Sequence, residues 1–455
     1  MFRFFYLDFW DKICLYKIKG SKMRIFQFVL FMLFSMFYGT SYALLKIDVS
    51  GAKNSPVPLA LPVPSSQDQL KDLSNKMIQV IRDDLENSGL FRVIEPEAYL
   101  QEFKEIQDEP RFSDWQVLNA QVLLQSQVEQ DPLTQELKVS FRLWDIFSNT
   151  QMAAKKITAK PDSWRKLAHI VADSIYERLT GDKGYFDSKI VFVSESGKGK
   201  YRQKRLAVMD QDGANLQFLT SADKMVMTPR FSPNMRQIAY LSYQGGEPKV
   251  YLMDLKTKTS ELVGNFSGMS FAPRFSPDGK DLIMSFSQRG NSEIYRYRLD
   301  TKEKTKLTNH LAIDTSPSYS PDGQQIVFNS DRGGTQQLYV MNADGANVHR
   351  ISYGEGTYAT PVWSPRGDYI AFTKIKDGVF YIGLMRPDGT RERLIAQGFL
   401  VEGPTWSPNG RFIVFGRQER GKKAYIYSID VAGYNERRLK TPNEATDPTW
   451  SPLLH

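Results

Sequence analysis

A five-residue pattern, Pro-x-aromatic-Ser-Pro, recurs through the C-terminal two-thirds of the chain. Its six copies are Pro229-Arg230-Phe231-Ser232-Pro233, Pro273-Arg274-Phe275-Ser276-Pro277, Pro317-Ser318-Tyr319-Ser320-Pro321, Pro361-Val362-Trp363-Ser364-Pro365, Pro404-Thr405-Trp406-Ser407-Pro408 and Pro448-Thr449-Trp450-Ser451-Pro452. Successive copies are 44, 44, 44, 43 and 44 residues apart. A period this regular marks repeated supersecondary units, each too small to bury a core alone.

Each unit reads as four strands. Behind the Ser-Pro pair stands a turn dipeptide, Asp278-Gly279, Asp322-Gly323, Arg366-Gly367 or Asn409-Gly410, with Asn234-Met235 as the departure. Gly after Asp or Asn supplies the positive φ of a tight hairpin turn. An apolar strand follows, as in Ile326-Val327-Phe328, then a third, as in Leu338-Tyr339-Val340-Met341. A short fourth closes the unit, as in Arg350-Ile351-Ser352. Four strands in about 44 residues is the pattern of a β-propeller blade.

The ends of the array specify how a ring would close. Ile190-Val191-Phe192, Leu206-Ala207-Val208-Met209 and Phe218-Leu219-Thr220 supply second, third and fourth strands with no first strand before them. After Trp450-Ser451-Pro452 the sequence ends within three residues. A C-terminal first strand joined to the three earlier ones gives a sixth blade and leaves no sheet edge. The motif aromatics are expected to pack between blades, and any function to sit in loops at the channel mouth.

Residues 23–43 carry the three parts of a secretory signal: Arg24, an apolar run from Ile25 to Tyr38, and small residues at Ser41 and Ala43. The run is shorter than the roughly 20 residues a membrane span needs. Cleavage is expected after Ala43, and translation is expected to begin at Met23. The net charge of +8 then falls to +4, because residues 1–43 hold six basic and two acidic side chains. The single cysteine, Cys14, lies in the same stretch. A chain without cysteine is compatible with an oxidising compartment such as the periplasm.

Residues 44–181 follow other rules and read as an α/β domain. Leu45–Val49 alternates as a strand, and Val57–Leu61, with its prolines, is expected only at a sheet edge. Ser66 and Gln69 read as a capping box before a helix striped by Leu70, Leu73, Met77, Val80, Ile81 and Leu85 and ended by Gly89. Val117–Val128 and Leu137–Phe147 read as a hairpin around Asp131-Pro132. A second helix, capped by Asp162, carries Trp164, Leu167, Val171, Ile175 and Leu179. The fold class is therefore α+β multidomain: a leader (1–43), an α/β domain (44–181), a linker (182–187) and a six-bladed propeller (188–455).

Catalytic signals are missing. The closest approach to a nucleophile elbow, Gly268-Met269-Ser270-Phe271-Ala272, lacks the second glycine and lies within a repeat. With four histidines and one cysteine there is no zinc spacing, and no Gly-rich phosphate loop appears. His310 and His349 fall at unrelated blade positions and read as solvated. Asp314, Glu402 and Asp447, just ahead of the motif, read as ordinary loop carboxylates, with channel lining for a cation, a basic partner or a periplasmic hydrolase or lyase as the alternative. The basic runs 198–202 and 417–423 read as solvated loops, and export argues against nucleic acid as a partner.

An exported, cysteine-free chain in which an α/β domain precedes six Ser-Pro-Asp-Gly blades resembles the TolB family of the Tol-Pal cell-envelope system, from Leu44 to His455. The resemblance implies a non-enzymatic, monomeric, periplasmic adaptor with no cofactor and no metal. Its implied partners are the peptidoglycan-associated lipoprotein Pal and the inner-membrane protein TolA, and the resemblance leaves room for other outer-membrane or peptidoglycan-associated proteins. Its implied role is in outer-membrane integrity and constriction during cell division. The Pal-facing mouth maps to Met269, Ala272, Thr315, Thr228, Thr360 and Asp447. The TolA-facing segment maps to Leu44, Leu45, Lys46, Ile47, Asp48 and Val49.

Overall fold

The computed structural model describes residues 55–197, 199–222, 225–244, 246–264 and 268–454. The expected leader, its cleavage point after Ala43 and the segment Leu44–Val49 lie outside the described residues. The N-terminal part holds strands β1 (Val57–Ala60), β2 (Ser65–Ser66), β3 (Phe91–Val93), β4 (Val122–Gln130), β5 (Leu137–Asp145) and β6 (Thr150–Ala159). Helices α1 (Lys71–Asn87), α2 (Phe112–Val117) and α3 (Trp164–Thr180) accompany them. The sheet order is β3-β1-β4-β5-β6, with β2 also pairing β4. Met77, Val80, Ile81 and Leu85 of α1 are buried, as are Leu167, Val171, Ile175 and Leu179 of α3.

Several local expectations are corrected here. β1 is not an edge strand: it runs parallel between β3 and β4. Pro58 is tolerated because its missing donor faces the very start of β4, where the Gln121 amide needs only an acceptor and takes the Pro58 carbonyl at 3.0 Å. Ser66 does not cap α1; it pairs with Val128, and a 3₁₀ turn at Asp68–Leu70 leads into the helix without a side-chain cap. α3 likewise begins after a 3₁₀ turn at Pro161–Ser163, with no cap bond from Asp162. Val117 ends α2, so the strand assigned from Val117 begins only at Val122. β6 had no counterpart in the sequence reading.

Residues from Lys189 onward form six four-stranded sheets. The third is typical: Asp314–Tyr319, Gln325–Ser330, Gln337–Asn342 and His349–Arg350 lie side by side in sequence order. In the last, Glu444–Trp450 pairs antiparallel with Lys189–Ser196, which continues to Gln203–Asp210 and Gln217–Phe218. The motif aromatics Phe231, Phe275, Tyr319, Trp363 and Trp406 pack in clusters that join neighbouring blades. Trp363 clusters with Val327, Leu338 and Ile351 of the preceding blade. Trp406 packs on Val362 and Ala371 and donates its indole N–H to the Val362 carbonyl at 2.9 Å.

The motif serine works locally. In the second blade Ser276 Oγ donates to Asp278 Oδ1 at 2.6 Å and accepts the Asp281 amide at 2.9 Å, which ties the turn to the next strand. Ser320 and Ser407 repeat this with Asp322 and Asn409. Met235 adopts the same turn with φ 57°, in the left-handed region that glycine occupies in the other blades. Arg366, where Asp is usual, reaches Asp182 at 3.0 Å.

That last contact belongs to the seam between the ring and the N-terminal part, which sits on the Ser-Pro turns. Asp182 also receives Arg411, and Asn409 donates to the Lys183 carbonyl at 3.0 Å. Asp173 of α3 accepts the amides of Phe186 and Asp187, and Tyr185 packs against Phe412 and Trp450. The segment assigned as a linker, 182–187, is thus buried at Tyr185, Phe186 and Asp187. Deeper in the seam His169 donates through Nδ1 to Asp84 Oδ2 at 2.6 Å, and Gln211 of the ring donates to Asp84 Oδ1 at 2.7 Å. Arg165 meets Asp212 beside them.

Burial alone would pull the His169 pKa down, but Asp84, then Asp212 and Asp210, reverse this and hold it at about 9. A raised histidine pKa stabilises the fold fully below the unfolded value near 6.5 and ceases to do so as pH rises through 9. We expect a decline in unfolding free energy of order 3 kcal/mol across that window, read by urea titration at several pH values. The decline should be absent in His169→Gln; a slope equal in both proteins would contradict the assignment.

Candidate docking rim

The first strand of each blade enters the ring at the face opposite the Ser-Pro turns. At that end all six strands are bulged at equivalent positions: pairing breaks between Met227 and Arg230, Phe271 and Arg274, Thr315 and Ser318, Ala359 and Val362, Glu402 and Thr405, and Thr446 and Thr449. The residue before the motif proline is left-handed in every case: Thr228 (φ 45°), Ala272 (50°), Ser316 (54°), Thr360 (47°), Gly403 (65°) and Asp447 (51°). A β-bulge bends its strand and re-aims the next side chains. A non-glycine residue at positive φ costs energy, more so ahead of proline. Repeated around the ring, the device builds one collar of backbone at the channel mouth.

Four of the six mouth residues mapped from sequence, Thr228, Ala272, Thr360 and Asp447, occupy this collar. Thr315 lies one residue earlier, where its Oγ1 accepts from Asn329 Nδ2 at 2.7 Å; its blade contributes Ser316 to the collar instead. Met269 opens its strand and is 41% exposed. The collar is tied to neighbouring blades: Asp447 Oδ2 accepts the Thr228 amide at 3.2 Å, and Ser285 Oγ of the second blade accepts the Ser316 amide at 3.1 Å.

Around the collar stands a set of exposed apolar side chains that the sequence reading did not single out. Met225, Tyr243, Leu311, Ile313 and Phe399 join Met269, and Leu311 is 97% exposed. Met225, Met269 and Ile313 each stand four residues before a motif proline, so the repeat register itself carried the signal. Apolar groups gathered on one face mark a protein-interaction surface more often than scattered ones. Methionine and aromatic residues are the types enriched at such surfaces.

The carboxylates do not converge on a reacting position. Asp314 is fully buried and paired with Arg332 at 2.7 Å. Glu402 stands at the mouth, where enclosure by the ring and then the charge of Asp447 raise its pKa. His310 and His349 are exposed. Each basic run holds an ion pair, Arg202 with Glu195 at 2.6 Å and Arg417 with Glu436 at 3.0 Å. Among the described residues, His169, Asp210 and Asp212 bring possible ligand atoms within 4.8 Å of one another. Lys189 and Arg165 already neutralise those two aspartates, so the group acts as an ion-pair network.

Residues 176–454 match the family model described as the TolB beta propeller domain, and residues 45–152 match the TolB amino-terminal domain. The chain is 61% identical over 416 residues to the Tol-Pal system protein TolB of Paramagnetospirillum magneticum, covering 90% of this chain and 93% of that one. It is similar to the crystal structure of TolB from Acinetobacter baumannii, with 27% identity and a TM-score of 0.78 over 90% of this chain and all of that one.

The collar makes its own prediction. Apart from its chain neighbours, no atom lies within 4 Å of where a Cβ on Gly403 would stand, so Gly403→Ala meets backbone strain and no clash. A loss of about 1 kcal/mol is expected in urea unfolding, with the fold retained. No measurable loss would show that the collar carries no strain.

Proposed function

The chain belongs to the TolB family, and from that membership we propose that it is a non-enzymatic periplasmic adaptor of the Tol-Pal system. It binds the lipoprotein Pal at the rim and TolA through Leu44–Val49, and so supports outer-membrane integrity and constriction at division. The observation that carries this reading is 61% identity to a Tol-Pal system protein across nearly the whole of both chains. The rim favours the Pal half of it. Met225, Met269, Ile313 and Phe399 are apolar and exposed on the face left free by the N-terminal part. A typical specific interface needs about 800 Å² per partner, within reach of one propeller face.

Thr315→Arg places a charge among these groups without disturbing a blade seam. We expect Pal affinity to fall about ten-fold or more in a calorimetric titration, which corresponds to about 1.4 kcal/mol, while the fold is retained despite the lost bond from Asn329. Unchanged affinity would count against the rim as the Pal site. Removal of Leu44–Val49 is expected to abolish capture of purified TolA and to leave Pal binding intact; TolA capture undiminished by that deletion would refute the assignment of the segment.

A further inference from the structure

The opposite end of the channel has a different character. Between the Ser-Pro turns lies a cup of about 470 Å³, lined by motif residues of every blade and by Lys183 and Leu453. Among the described residues its charged lining consists of Lys183, Arg230 and Arg274, with no Asp or Glu. The two arginines hold the second position of the motif in the first two blades, where later blades carry Ser318, Val362, Thr405 and Thr449.

The arginines differ in how they are satisfied. Arg230 donates from Nη1 to the Pro229 carbonyl and to Thr449 Oγ1, both at 2.7 Å, and Asp447 lies near enough to support its charge. Among the described residues Arg274 makes no hydrogen bond or ion pair; besides its enclosure it feels the like charge of Arg230. A guanidinium does not deprotonate in proteins, so this is an uncompensated cation in an enclosed space. Enclosure in a low-dielectric wall strengthens its attraction for an anion.

We propose that this cup is a binding site for an oxyanion, held by Arg274 with Arg230 and Lys183 beside it. The planar fork of a guanidinium matches the two oxygens of a carboxylate or phosphate. Ser318 Oγ accepts the Trp363 amide at 3.3 Å and keeps its own hydrogen to donate inward. Trp363, Trp406 and Trp450 supply apolar wall, so the cup suits a small molecule that joins an oxyanion to an apolar body. The site lies at the end of the channel remote from the rim and does not depend on the partner reading.

Two probes separate the sources of the oxyanion: inorganic phosphate and benzoate, each titrated calorimetrically into the full chain at constant ionic strength with little chloride. Saturable binding of at least one, at millimolar Kd or tighter, is expected, weakened about ten-fold or more in Arg274→Gln. Phosphate alone would identify a phosphoryl ligand, and benzoate a carboxylate on an apolar body. In the unaltered protein the same anion should slow modification of Arg274 by phenylglyoxal, followed by peptide mass spectrometry; this arm stands even if the variant does not fold. Absence of binding by both probes, equal affinity in Arg274→Gln, or no protection of Arg274 would overturn the proposal.

Discussion

The structure rests on the pairing of Glu444–Trp450 with Lys189–Ser196, which joins strands some 250 residues apart in one sheet. A ring without it would expose two unpaired edges, each a template for aggregation. The pairing is locked at its inner end: Lys189 and Ser451 exchange bonds through the Ser451 hydroxyl and amide, and the Trp450 indole donates to Ser188 Oγ at 2.7 Å. Tyr185 packs on Trp450, and Asp173 of α3 takes the next two amides. The residues that close the ring therefore also seat the N-terminal part.

From this follows a division of labour between the two faces. The Ser-Pro face is covered, through Asp182 with Arg366 and Arg411, Arg165 with Asp212, and the buried Asp84–His169 pair. Outside the central cup, these charged groups hold the two parts together. The rim keeps the features that a partner can use: six bulges in phase, backbone at positive φ, and apolar side chains in water. Rigid sheets with variable loops suit an adaptor, because the blades fix where the loops stand while the loops choose what they meet.

Much of this was legible because the repeat made it redundant. Six copies of one motif specify the strand order of a blade, and the incomplete first and last units point to the sheet they share. The α/β part has no such redundancy, and local rules there were outvoted by context. Pro58 sits in a central strand because one missing donor happens to face a strand end. β6 was missed because its residues, including Lys155 and Lys156, are mostly exposed and show no clean alternation. His169 gave no signal at all: its partner Asp84 is 85 residues away, and only the docking of the ring brings Asp210 and Asp212 to it. At the rim, Thr315 stands one residue ahead of its blade's collar position, Ser316, and counting back one residue from the motif proline locates the collar residue in every blade.

The central claim is that the rim, not the Ser-Pro face, meets the protein partner. Amide hydrogen exchange of the full chain with and without purified Pal tests it most directly. Slower exchange is expected at 225–228, 269–272, 311–316 and 399–403, with the Ser-Pro turns and the N-terminal part unchanged. Protection on the Ser-Pro turns with none at the rim would contradict the account.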